Sequence, residues 1–314
     1  MDVFIQKVQE RPINGKHSLI RKLGEGGHGA VYLGRDFDTG EEVALKLEHK
    51  SLAPSILEGE AERYQEFQGL AGFPELYWYG WHDDYRVMVF EILGPSLEDL
   101  FEYCDRRFSL KTVLMLADQL FVRLEELHSR NVIHRDIKPQ NFLVGRGTNG
   151  NIIYVTDFGL VNNFKGIRNN ANDLVPRHPR LIGTTRFASV REHEGRSAYI
   201  CYLVERMALI LALAQSPRAD LESLGYIIIY FMQGKLPWQG LKARGGQENK
   251  RLVIEKKAAL KAKELCIGLP SEFVDYIKYA ETLSHGVMPD YAVLRQIFRG
   301  LASKEEVEYN NVFN

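Results

Sequence analysis

Three stretches of this chain hold residue types whose spacing could do chemistry. Gly24-Glu25-Gly26-Gly27-His28-Gly29 is a GxGxxG run. Glycines let a backbone turn sharply and approach phosphates closely. A dinucleotide-binding reading needs a helix straight after the run and an acidic residue about 20 positions on. Here Ala30-Val31-Tyr32-Leu33 continues as strand. That reading is rejected, and phosphate binding stands beside a plain glycine-rich hairpin. Val43-Ala44-Leu45-Lys46 sets a lysine in an otherwise apolar strand, where a charge needs a partner. Glu60 is the candidate partner; the alternative is a lysine that snorkels to the surface. The third and strongest signal is His134-Arg135-Asp136-Ile137-Lys138-Pro139-Gln140-Asn141, followed by Asp157-Phe158-Gly159.

The elements that must position these residues change character once along the chain. Val43, Leu45 and Leu47 alternate with their neighbours, the pattern of a half-buried strand. Residues 54–69 read as one short helix ended by Gly69, and 85–93 as another strand. A small antiparallel sheet with one helix fits this half. After Gly94-Pro95, Ser96 with Asp99 three residues on resembles a capping box that opens a helix. Val113, Leu116, Ala117, Leu120, Phe121, Leu124 and Leu127 then recur at helical spacing. Further helices are expected over 219–234, 248–263 and 271–283. The fold class is therefore α+β, with a boundary near residues 93–94.

Composition sets limits. The chain has 314 residues, enough for about two domains and a sizeable core, which excludes a disordered chain or a disulfide-stapled miniprotein. Its formal net charge of −1 argues against a nucleic-acid partner. Cys104, Cys201 and Cys266 form no CxxC pair, so neither structural zinc nor a disulfide framework is supported. Scattered thiols suit a reducing compartment, so the cytoplasm and/or nucleus is expected. The opening residues hold no apolar core of signal-peptide length. The apolar run 197–214 is shorter than the about 20 residues a spanning helix needs, and Glu205 and Arg206 sit at its centre. No membrane span is expected.

A glycine-rich loop, a strand lysine, HRDxxxxN and DFG, in this order, resemble the eukaryotic protein kinase superfamily. That resemblance implies a bilobal protein kinase fold, with a small β-rich N-lobe holding one helix and a larger, mainly helical C-lobe. The limits would be 1–16 for an N-terminal segment, 17–93 for the N-lobe, 94–300 for the C-lobe and 301–314 for a short tail. ATP would bind between the lobes with Mg2+. Lys46 would hold the α- and β-phosphates while Glu60 holds Lys46. Asp157 and Asn141 would be the metal ligands. Asp136 would orient the substrate hydroxyl and accept its proton, and Lys138 would steady the γ-phosphate. Gly24, Glu25, Gly26, Gly27, His28 and Gly29 would cover the phosphates. Val31, Ala44, Phe90, Glu91 and Leu93 would complete the nucleotide site, Phe90 as the gatekeeper before a hinge at 91–93. Asp220 would pin the backbone of the catalytic loop.

The resemblance narrows to the casein kinase 1 family. It rests on Leu93-Gly94-Pro95-Ser96-Leu97-Glu98-Asp99-Leu100, on Asp220-Leu221-Glu222-Ser223-Leu224-Gly225, on Leu236-Pro237-Trp238-Gln239-Gly240-Leu241-Lys242, and on Ala188-Ser189-Val190 where other kinases have Ala-Pro-Glu. It covers residues 17–300 with one break. It implies a serine/threonine kinase, of a kind usually active without activation-loop phosphorylation, whose protein substrates carry acidic or phosphorylated residues upstream of the target; a monomer is expected. Residues 165–196 agree, with seven Lys/Arg against three Asp/Glu; a solvated basic loop is the plainer alternative. Arg186 matches an arginine of the family's anion pocket. The accompanying lysine falls on Asn249, with Lys250 beside it. Thr184 matches a threonine typical of serine/threonine kinases. The break is 197–213, an insertion in which 14 of 17 residues are apolar. It reads as a docking element, as translated non-coding sequence, or as a helix packed on the large lobe; the last two are favoured. Two rivals to the enzyme reading stand. One is an ATP-binding scaffold whose transfer is weakened or lost through the insertion. The other is a small-molecule phosphotransferase, against which Lys138 and the segment around Arg186 argue.

Overall fold

The alternation along residues 43–47 is that of a strand with one covered face, and the structure covers both. The computed structural model describes residues 10–26, 29–52, 54–163, 185–189, 216–242, 245–284 and 286–310, together with Val8, Val312 and Phe313. The chain divides into two units, Met1–Pro95 with Leu143–Gly159, and Ser96–Phe142 with Leu160–Asn314.

The first unit is an antiparallel sheet of β1 (His17–Gly26), β2 (Gly29–Asp36), β3 (Glu42–His49), β4 (Leu76–His82) and β5 (Tyr85–Glu91), in the order β1-β2-β3-β5-β4. Among the described residues its long helix is α1 (Leu57–Glu66). In β3, every residue from Val43 to Glu48 is buried. Val43, Leu45 and Leu47 pack with Ile13, Leu19, Tyr32, Val87 and Val89. Complete burial of each such side chain contributes roughly 1.5–3 kcal/mol. The opposite face of β3 presents Ala44, Lys46 and Glu48, and neighbouring Phe90 of β5 meets Tyr64 of α1 at a ring separation of 5.3 Å. The half-buried expectation fails here because the helix covers the second face. The helix stops at Glu66, before the expected Gly69; that glycine takes φ +77° in the turn beyond it. Strand β4, rich in aromatics, was not anticipated. Gly29 closes the β1–β2 hairpin opposite Gly26 at φ +122°, where a Cβ would lie 2.3 Å from the Leu47 carbonyl oxygen. Only glycine tolerates that conformation and approach.

The second unit is helical. The capping box at Ser96 and Asp99 opens α2 (Leu97–Tyr103) as expected. Helix α3 (Leu110–Ser129) buries all seven apolar residues named from its periodicity. Helix α4 (Pro217–Gln233) is buried on every side from Ala219 to Phe231, the signature of a central core helix. Helix α5 (Gly246–Ala259) ends earlier than expected because Leu260 is extended, and α6 (Ala262–Leu265) is a separate turn. Helices α7 (Ser271–Thr282) and α8 (Tyr291–Lys304) follow. Phe121 joins α3 to Tyr276 of α7 and Phe298 of α8, each at 5.6 Å between rings. Among the described residues no helix is long and apolar enough to cross a membrane; residues 197–213 lie outside them.

Candidate active site

Strand register puts one set of the sequence-named residues together. Gly26 pairs with Gly29, Gly24 with Val31, Val31 with Lys46, and Ala44 with Phe90, so Gly24, Val31, Ala44, Lys46 and Phe90 share one face of the sheet. Glu25 falls on the other face and pairs with Lys22. Gly27 and His28 lie outside the described residues. Glu91 pairs with Val43, away from that face, and Leu93 is buried just beyond the strand.

Lys46 donates to Glu60 Oε2 at 2.6 Å and to Asp157 Oδ1 at 3.2 Å. Snorkelling is thereby excluded: Lys46 is 8% exposed and Glu60 1%. Burial works against the ammonium, but the Glu60 and then the Asp157 carboxylate outweigh it and raise the Lys46 pKa above its ordinary value. Asp157 follows the strand Ile153–Val155 and takes φ +66°, a sparsely populated conformation for a non-glycine residue. Two neighbours hold it there. Phe158 is buried against Tyr64, Phe67 and Phe73. Gly159 lies so close to α1 that a Cβ would come within 2.9 Å of Ile56 and 3.4 Å of Glu60 Oε2.

The second set belongs to the helical unit. His134 to Asn141 run from the short strand Val132–Ile133 into a 3-10 turn at Pro139–Asn141. Asp136 is buried, and Lys138 Nζ donates to its Oδ2 at 2.5 Å. Asn141 Nδ2 donates to the Asp136 carbonyl oxygen at 2.9 Å, which fixes the orientation of the carboxamide. Asp220 of α4 holds the loop from below: it accepts from the backbone N–H groups of His134 at 2.7 Å and Arg135 at 2.9 Å. His128 Nε2 lies 3.0 Å from the same carboxylate, and Tyr291 OH lies 2.5 Å from His128 Nδ1. Burial opposes the Asp220 charge, but the hydrogen bond and charge of His128, with His134, hold its pKa below the ordinary value. Arg135 takes φ +67° and donates to the carbonyl oxygens of Leu160 and Val161.

Arg186, Asn249 and Lys250 come together in this same unit. They line a pocket of about 410 Å3 with Thr185, Trp238 and Gly240. Trp238 Nε1 donates to the Arg186 carbonyl oxygen at 2.8 Å, and the buried Lys257 donates to those of Thr185 at 3.0 Å and Ala188 at 2.6 Å. The Arg186 guanidinium lies 3.4 Å from Glu98. Thr184 lies outside the described residues, as does most of the basic stretch 165–196. Reading the sequence missed Glu48, Glu98, His128, Lys257 and Tyr291. A glutamate two positions after the strand lysine was the one visible hint.

A sequence model of the protein kinase domain matches residues 17–278. This span holds the strand lysine, both aspartates, the asparagine and the loop-pinning carboxylate. The chain belongs to the protein kinase family, with its α+β bilobal fold and its transfer of phosphate from ATP.

Proposed function

We propose that this kinase phosphorylates serine and threonine hydroxyls of protein substrates that carry acidic or phosphorylated residues upstream of the target, in the manner of the casein kinase 1 family. The observation that carries this reading is the pocket that Arg186 and Lys250 line together with Thr185, Trp238 and Asn249. Two cations converging on one concave surface bind a carboxylate or phosphate by charge and by hydrogen bonding. Asn249, where the family has lysine, sits in the same pocket, and Lys250 supplies the charge in its place.

The geometry of each set supports a role for each residue. Lys46, kept protonated by Glu60 and Asp157, neutralises phosphate oxygens of the nucleotide. Asp136 is the acceptor for the hydroxyl proton, and Lys138, held beside it, stabilises charge on the transferring group. The donor chemistry of Asp157 and Asn141, a carboxylate and a carboxamide, fits Mg2+, which takes oxygen ligands. When bound, the ion neutralises charge on the phosphates. Phosphoryl transfer asks for positioning and electrostatic stabilisation, which these residues supply.

The test is phosphate transfer from ATP to three peptides: one with phosphoserine three residues before a serine, its unphosphorylated twin, and a tyrosine peptide. Asp136→Ala sets the background. The expected result is transfer to serine only, with a lower KM for the phosphorylated peptide. Equal KM values for the two serine peptides would remove the anion preference. Transfer to tyrosine would overturn the hydroxyl specificity.

A further inference from the structure

The residue that flanks the start of α1 does not cap it. This residue is Ile56, whose side chain cannot accept a hydrogen bond, yet the first N–H groups of a helix need acceptors. For the Ile56 and Leu57 N–H groups the acceptor comes from the sheet. Glu48 of β3 takes the Ile56 N–H at 2.9 Å and the Leu57 N–H at 3.2 Å on Oε2. Its Oε1 accepts from the Ser55 hydroxyl at 2.6 Å and from Arg86 at 3.2 Å. The Ser55 oxygen in turn accepts from the Glu58 N–H at 3.3 Å. Arg86 is the register partner of Glu48 on β5 and stacks on Trp81 at 4.5 Å. The Glu48 carboxylate is thus fully engaged, 1% exposed, and placed at the positive end of the helix dipole.

Glu48 stands two residues after Lys46 on the same strand, so both side chains leave the same face. The strand therefore grips α1 twice. Lys46 holds Glu60 one turn into the helix, and Glu48 holds the turn before it. Either grip fixes the helix axis only loosely; together they set its position and rotation.

We infer that Glu48 is a positioning residue for the Lys46–Glu60 ion pair. It docks the beginning of α1 on β3, so Glu60 reaches Lys46 through contacts internal to this unit. No partner protein and no added phosphate is required to bring the helix in. Glu48 acts only through Glu60, and its removal matters to catalysis only while Glu60 is there to be positioned.

A double-mutant cycle on the full 314-residue chain tests this. Glu48→Gln keeps the side-chain shape but loses the charge and one acceptor. The expected result is a fall in kcat of about tenfold and weaker binding of ATP, with KM for the peptide within about twofold of the parent. Glu60→Gln gives a loss of similar size, and the double variant is no worse than Glu60→Gln alone. Hydrogen exchange at the Ile56 and Leu57 amides accelerates in Glu48→Gln, while exchange in α3 and α4 is unchanged. Losses that multiply in the double variant, or an unchanged kcat in Glu48→Gln, would overturn the inference. If Glu48→Gln does not fold, Ser55→Ala serves. It removes one of the four donors to the carboxylate and is expected to lower kcat two- to threefold, again only when Glu60 is present. ATP affinity is read in every variant, so the test stands even if transfer by the parent chain is slow.

Discussion

Lys46 and Arg186 each face a buried carboxylate, Glu60 and Glu98, and the two pairs differ in the rest of their surroundings. The Lys46 side chain is 10% exposed and 2.6 Å from its partner; Arg186 is 39% exposed and 3.4 Å from its partner. A buried cation depends on its partner: losing the carboxylate strands a charge in low dielectric. A half-exposed guanidinium with five donors can keep one contact inside and turn others to a ligand. The first arrangement suits a group that must be charged and fixed before ATP arrives. The second suits recognition that competes with water and salt. The contrast predicts that damage to the Lys46 pair is felt in both fold and rate, and damage to the Arg186 pair in substrate recognition alone.

The largest expected effect comes from Lys46→Met. Phosphate transfer should fall by about 10²-fold or more, the scale of losing one preorganised charge donor. Unfolding should become easier by about 3 kcal/mol, because Glu60 keeps its burial without its partner. Arg186→Met should leave the denaturation midpoint within about 0.5 kcal/mol of the parent. Equal destabilisation by the two substitutions would erase the distinction.

Asp220 asks whether burial of the carboxylate is what matters. Asp220→Asn weakens the acceptor shared by His134, Arg135 and His128. The expected loss is about 2–3 kcal/mol at neutral pH, the range for hydrogen bonds to a charged group. The sign with pH follows from the lowered pKa. Stability from Asp220 is fully present above its ordinary 3.8 and is lost as pH falls through the folded value below that. The gap between parent and variant should therefore close in strongly acidic solution. Urea titrations at neutral pH and in strongly acidic solution, well below pH 3.8, measure it; a constant gap would mean the network does not depend on the charge.

How far these sites were legible in the sequence follows the same contrast. Lys46, Asp136 and Asn141 stand in short, dense motifs because each is fixed by neighbours a few residues away or by a strand register; Asp157 shares a motif with Phe158 and Gly159, although the Lys46, Tyr64, Phe67 and Phe73 side chains that meet Asp157 and Phe158 come from far along the chain. Local pattern also revealed the α3 face and the Ser96–Asp99 cap, since both are helix properties of adjacent residues. Glu48 was missed because its donors, Ser55, Ile56 and Leu57, lie across a turn of irregular chain that no periodicity describes. Glu98 was read as part of a motif string, yet its contacts to Tyr230 and Arg186 come from residues far along the chain. Lys257 lies within the helix expected over 248–263 with nothing local to single it out, and only the fold shows it buried and bonded to the segment 185–188. The second face of β3 was misjudged for a related reason: alternation reports one covered face, and a helix laid on the other leaves no periodic trace.

Salt gives a smaller effect that separates the two pairs directly. Exposed charges are screened over about 8–10 Å at 0.1–0.15 M ionic strength, and buried ones far less. KM for an anionic peptide should rise several-fold from low salt to about 0.3 M, while KM for a neutral peptide and the melting temperature barely move. Arg186→Ala should reproduce the high-salt KM at low salt with kcat unchanged, the mark of lost uniform binding. A parallel rise for the neutral peptide would show that salt acts elsewhere.

The smallest and most discriminating change is Glu98→Gln. Glu98 Oε1 accepts from Tyr230 OH at 3.0 Å and faces Arg186, while its Oε2 is buried with no hydrogen-bond partner among the described residues. Tyr230 stays a donor, since burial and then the Glu98 charge push its pKa up to about 12, and Arg106 donates to its oxygen at 2.6 Å. Glutamine keeps an oxygen for Tyr230 and Arg186 and removes only the negative charge. An incoming phosphate then meets an arginine that no internal carboxylate neutralises. KM for the phosphoserine peptide should fall two- to fivefold, and KM for a neutral peptide should stay where it was. The gain should shrink as salt rises, because it is a charge effect near the surface. A higher KM for the phosphorylated peptide would show instead that Glu98 orients Arg186 for binding, and that the half-exposed arginine depends on its carboxylate no less than the buried lysine does.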